Sequence, residues 1–98
     1  MKLTGTGRAG TLESGDILIE VEPAAGETDI FLRSSVMRLY GQQIRAVLLQ
    51  TLEELDLQGV QLTAQDKGAL DCTIKARLRT AVARAGGPVL PWQGEEQV

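Results

Sequence analysis

Ser14 stands at the centre of the run Gly10-Thr11-Leu12-Glu13-Ser14-Gly15-Asp16, and it is the first residue whose type and setting invite a chemical reading. A serine hydroxyl is a weak nucleophile unless an adjacent base takes its proton, and histidine is the usual base. The chain contains no histidine. Ser-His and Cys-His pairs are therefore unavailable, and so is the commonest general acid or base. Carboxylates come as Glu13 with Asp16 around the serine, and as Asp66 with Asp71 around a second turn. Such pairs do acid–base work when buried and close, whereas turn-forming sequence favours their solvation. An acceptor for a modifying enzyme has simpler needs: an exposed hydroxyl and an approachable backbone. A turn at Ser14-Gly15 supplies both.

The other reactive residue types lead nowhere by themselves. Cys72 is the single cysteine, so it forms no internal disulfide, and no second thiol or histidine accompanies it as a metal ligand. Its alternation with apolar neighbours makes it a small buried apolar residue. Gly5-Thr6-Gly7 and Gly86-Gly87 lack the spacing of a phosphate cradle. With three aromatic residues (Phe31, Tyr40, Trp92) and a net charge of −3, the chain lacks the stacking platforms and basic field of a nucleic-acid module. No apolar run is long enough to span a membrane, and the first residues lack a signal peptide's apolar centre, so the expected location is the cytoplasm. A small acidic chain without catalytic inventory reads as a carrier, adaptor or subunit.

The elements that would position Ser14 follow from periodicity. At 98 residues the chain is sized for one domain with one modest core. Residues 1–8, rich in Gly and Thr, read as a flexible N-terminal arm, residues 9–92 as a single domain and residues 93–98 as a loose tail. A short strand over residues 8–13 leads into the Ser14 turn. Ile17, Ile19 and Val21 then alternate with Leu18, Glu20 and Glu22 as a half-buried strand, which Pro23 to Glu27 breaks. A second strand runs over residues 28–33. Ser34 or Ser35 caps a long helix over residues 36–57, whose stripe is Val36, Tyr40, Ile44, Val47, Leu48, Leu52 and Leu55. Gly41 inside it marks close packing against the sheet, and Gly59 takes the left-handed position after the helix.

Val60, Leu62 and Ala64 alternate as a third strand, followed by the turn Asp66-Lys67-Gly68. Leu70 to Arg79 has two readings. Alternation favours a fourth strand to about Arg77, paired with the third as a hairpin, and then a short helix over residues 78–85. The recurrence of Leu70, Ile74, Leu78 and Val82 every four residues favours a helix throughout. The strand reading is preferred here. It gives an α+β fold in two layers, a mostly antiparallel sheet with one long and one short helix, in the order ββαββα with an extra short strand before Ser14. The tail Val89-Leu90-Pro91-Trp92 would pack its tryptophan on the body.

The sequence also carries a resemblance. Ala9-Gly10-Thr11-Leu12-Glu13-Ser14-Gly15-Asp16, Gly59-Val60-Gln61-Leu62, Asp66-Lys67-Gly68-Ala69-Leu70-Asp71-Cys72, Ala76-Arg77-Leu78, Ala83-Arg84-Ala85 and Leu90-Pro91-Trp92 together resemble the acyl carrier, or gamma, chains of citrate lyase. The resemblance implies a non-catalytic subunit whose Ser14, in the context of Glu13, Gly15 and Asp16, bears phosphoribosyl-dephospho-coenzyme A through a phosphodiester. It implies a swinging arm that holds acetyl as a thioester. The alpha subunit would exchange that acetyl for citrate, releasing acetate, and the beta subunit would cleave the citryl thioester to oxaloacetate and regenerate the acetyl carrier. A holo-carrier synthase would install the group. The carrier of malonate decarboxylase, which shares the prosthetic group, and an unmodified adaptor subunit are the alternatives.

Charge is uneven along the chain. Residues 59–85 hold five bases against two acids. A solvated face accounts for Lys75, Arg77, Arg79 and Arg84. A second reading makes Lys75, Arg77 or Arg79 the contact for the arm's phosphates or for a partner subunit.

Overall fold

The computed structural model describes residues 1–89, so the expectations for Leu90, Pro91, Trp92 and the tail lie outside the described residues. The elements run β1 (Gly7–Ala9), β2 (Ile17–Pro23), β3 (Asp29–Ser34), α1 (Met37–Glu54), β4 (Val60–Asp66) and α2 (Asp71–Arg84). The four strands form one sheet in the order β1-β2-β4-β3. β1 pairs with β2 and β2 with β4 antiparallel, while β3 and β4 run parallel. The α+β class, the mostly antiparallel sheet and the two helices agree with the sequence reading.

The hairpin after Asp66 is the main correction. Residues 71–84 are helical throughout, and Ile74, Leu78, Ala81 and Val82 are its buried side. The four-residue recurrence wins over the alternation because the residues between those positions, Thr73, Lys75, Arg77 and Arg79, all tolerate a partly exposed helix flank. Cys72, on the first turn, is exposed and not part of the core. β2 and β3, consecutive in the chain, are not neighbours in the sheet, because β4 returns from α1 and inserts between them. A parallel pair needs a crossover, and α1 is that crossover.

Period-two patterning puts Ile17, Ile19 and Val21 of β2 and Val60, Leu62 and Ala64 of β4 on one face, all at most 1% exposed. Register sets Ile19 opposite Ala64 and Val21 opposite Leu62. Leu48, Leu52, Ile74, Leu78 and Val82 cover that face from the two helices. Each such fully buried aliphatic side chain contributes roughly 1.5–3 kcal/mol of transfer free energy. The other sheet face is open, carrying Arg8, Glu20, Thr63, Phe31 and Arg33.

α1 is buried only from Ile44 onward; Tyr40, expected in the stripe, is exposed. Gly41 meets its own helix's Met37 side chain and not the sheet. The helix ends earlier than the glycine signal suggests. Leu57 N–H donates to Leu52 O and Asp56 N–H to Glu53 O, with Asp56 at φ 54° in the left-handed position. That is the two-bond pattern of a Schellman stop, made with aspartate where glycine is usual. The N-terminal residues, read as an arm, make contacts with the body: Leu3 is buried, Thr4 and Gly5 N–H donate to Ala85 O, and the Met1 amino group donates to Asp56 O.

Candidate functional site

Ser14 lies between β1 and β2, in a turn closed by Asp16 N–H donating to Glu13 O at 3.0 Å. Gly15 occupies the third turn position at φ 84°, a conformation that L side chains rarely adopt. Space around its Cα is open: a Cβ built there meets nothing within 4 Å. Gly10, five residues earlier, is constrained differently. Its φ is 97° and a Cβ would collide with Ile17 O, because the chain doubles back on itself there. Ser14 and Glu13 are both exposed.

Asp16 anchors this turn to the body. Its carboxylate takes a bidentate bond from Arg77 of α2, Nε to Oδ1 at 3.0 Å and Nη2 to Oδ2 at 2.9 Å. It also accepts from Thr11 Oγ1 at 2.7 Å and from Ile17 N–H at 2.7 Å. These bonds, those from Arg77 foremost, outweigh partial burial and hold the carboxyl down to about 2. Asp16 is thereby a fixed anion and a positioning group, with no proton to exchange near neutral pH. A second tie comes from the β4–α2 loop: Gly15 N–H donates to Lys67 O at 2.7 Å, and Lys67 N–H to Asp16 O at 2.9 Å.

That loop is itself held by Asp66, which is 1% exposed at the end of β4. Its carboxylate accepts from Ser34 Oγ at 2.8 Å, Gly68 N–H at 3.0 Å and Ala69 N–H at 2.9 Å. Ser34 Oγ accepts in turn from Val36 N–H at 3.0 Å, so one buried carboxylate joins the end of β3, the start of α1 and the β4–α2 loop. The cap expected at Ser34 or Ser35 does not form: the N-cap of α1 is Val36, without a side-chain cap bond, and Ser34 Oγ accepts from Val36 N–H ahead of the helix. Asp66 and Asp71 are not a catalytic pair: Asp71 faces Gln43 on the surface.

The topology explains why these parts meet. β2 runs antiparallel to β4 with Ile17 opposite Asp66, so the turn that precedes β2 lies at the carboxyl end of the parallel pair β3 and β4. Sequence reasoning reached Ser14, Glu13, Gly15 and Asp16 but missed Arg77's partner and the Asp66 hub. The basic run does not reach outward as one face. Arg77 is bound to Asp16, while Lys75 and Arg79 lie 3.7 and 3.4 Å from Glu54 of α1. The one signal for the hub was Asp66 itself, a charged residue continuing the inward alternation of Val60, Leu62 and Ala64.

The Ser14 side chain is exposed, and among the described residues no group of three metal-ligating side chains occurs. The site offers an exposed hydroxyl on a rigidly held turn with free space about it, which fits covalent attachment of a bulky group. The family model described as malonate decarboxylase delta subunit (MdcD), an acyl carrier model, matches residues 4–85. The chain belongs to this acyl carrier family. Within it, the citrate lyase acyl carrier protein 1 of Salmonella paratyphi A is 44% identical over 98 residues, covering 98% of this chain and 100% of that relative. A Pseudomonas malonate decarboxylase hetero-tetramer, solved in complex with malonate, contains a chain of the same fold. The match has a TM-score of 0.72 at 20% identity and covers 85% of this chain and 86% of that one. A carrier of this family is a non-catalytic subunit. Among the described residues no helix is long and apolar enough to cross a membrane.

Proposed function

We propose that this chain is the acyl carrier subunit of a citrate lyase, with phosphoribosyl-dephospho-coenzyme A joined through a phosphodiester to Ser14. The observation that carries the reading is end-to-end similarity to a citrate lyase carrier, at 44% identity, in a chain whose Ser14 is exposed and unassisted. When bound, the group supplies a thiol that holds acetyl and citryl as thioesters. The protein's own residues do mechanical work. Asp16 and Arg77 fix the base of the turn, Gly15 lets the chain reverse, and Lys67 O ties the turn to the β4–α2 loop. A tether of this kind turns the search between two active sites into an intramolecular one at high effective concentration.

The partners in this reading are the alpha and beta subunits, where the chemistry occurs, and the holo-carrier synthase that loads Ser14. The malonate decarboxylase reading keeps a specific support, because the matching family model and the fold relative both carry that name. Reconstitution separates the two. Loaded carrier, first acetylated on the thiol of its arm, mixed with citrate lyase alpha and beta subunits should release acetate and oxaloacetate from citrate, and Ser14→Ala should release none. Support of malonate decarboxylation in place of citrate cleavage would replace this reading with the second one.

A further inference from the structure

We propose that Arg33, Ser35 and Lys67 form a seat for the phosphate groups of the arm carried at Ser14, holding it along the carboxyl ends of β3 and β4. This rests on the carrier reading above. Arg33, Ser34, Ser35, Gln65, Asp66 and Lys67 line a surface pocket of about 240 Å³. Register explains the cluster: Arg33 lies beside Gln65 on the open sheet face, and Lys67 follows β4 by one residue. Crevices at the carboxyl ends of parallel strands, where the chain turns into a helix, are the usual ligand sites of α/β units.

Charge and distance favour an anion tethered at Ser14. Arg33 and Lys67, the two cations lining the pocket, have no ion-pair partner among the described residues, as is also true of Lys2, Arg38, Arg45 and Arg84 outside it. The pocket's one carboxylate, Asp66, is turned inward and takes bonds from Ser34 Oγ and two loop amides. Glu13 is the exposed carboxylate of the turn, and it would steer phosphate away from its own side and toward the cations. Lys67 is the residue whose carbonyl accepts from Gly15 N–H at 2.7 Å, so the attachment turn and the pocket share a wall. α1, which starts beside the pocket, has no acidic residue in its first turn.

The test compares amide NMR spectra of apo and loaded carrier, with loading verified by intact mass. The expected result is shift changes at residues 33–36 and 67–69 as well as 13–16, with the first two sets lost in loaded Arg33→Gln/Lys67→Gln. They should also fade in the wild type as NaCl rises from about 0.05 to about 0.5 M, which shortens the Debye length several-fold. That salt response decides the matter even if the double variant resists loading. Added mass with changes confined to residues 13–16 would overturn this proposal alone. So would a double variant that keeps the distal changes, or one whose only loss is binding to partner subunits, which would make the pocket a docking surface. Absence of added mass would overturn the carrier reading and this proposal together.

Discussion

The Asp16–Arg77 pair is the residue-scale device on which the site depends. A partly exposed ion pair is worth about 1 kcal/mol or less, so Arg77→Gln should leave the fold intact at a cost of that order. Its local effect should be larger: the amides of residues 13–16 should exchange with solvent faster than in the wild type while core amides are unchanged. Acid should reveal the same bond. Asp16 titrates at about 2 in the folded chain, below the usual value of about 4 for an unfolded aspartate. Its contribution to stability is present above the unfolded value and is lost as pH falls through the folded one. Urea midpoints of wild type and Asp16→Asn should therefore differ near neutrality and converge as pH falls toward about 2. A constant difference across that range would show that the pair does not form.

At the scale of elements, two junctions hold the strands and helices in place, and each admits a mutational check. Removing the Asp66 carboxylate leaves a hydroxyl and two loop amides without their acceptor. Asp66→Ala should lower stability by about 2–4 kcal/mol, read by denaturant unfolding. Asp56 takes a left-handed conformation that costs most L residues about 1–2 kcal/mol. Asp56→Gly should raise the unfolding free energy by about 0.5 kcal/mol, offset in part by the greater freedom of glycine when unfolded. Both junctions were hard to read from sequence, for physical reasons. The helix stop lacked its usual glycine, and Gly59, two residues beyond the motif, drew the expectation toward itself. Residues 70–79 satisfy periods of two and of four at once, and local pattern cannot choose between them. The choice is made by packing: β2, and not a hairpin partner, takes the free edge of β4. By contrast, Ile17, Ile19 and Val21 showed their buried face plainly, because one strand face is core and the other open.

Over the whole molecule, the fold brings a turn, a strand end and a helix start to one end of the sheet, although they lie far apart in sequence. Ser14 itself was legible as a candidate because its neighbours make a turn and the chain lacks a base. Its anchoring by Arg77, more than sixty residues later, was not legible, since no local pattern encodes that contact. In this arrangement the hydroxyl is exposed while Asp16 beside it is bound to α2. Ser14 touches nothing in the core, so Ser14→Ala should fold with stability within about 0.5 kcal/mol of wild type. That makes it a clean control for the most direct measurement of the account, the intact mass of the chain after co-expression with its cofactor-transferring enzymes. The account predicts added mass equal to one phosphoribosyl-dephospho-coenzyme A group on the wild type and none on folded Ser14→Ala. An unmodified wild type, or an adduct that persists in the variant, would contradict it.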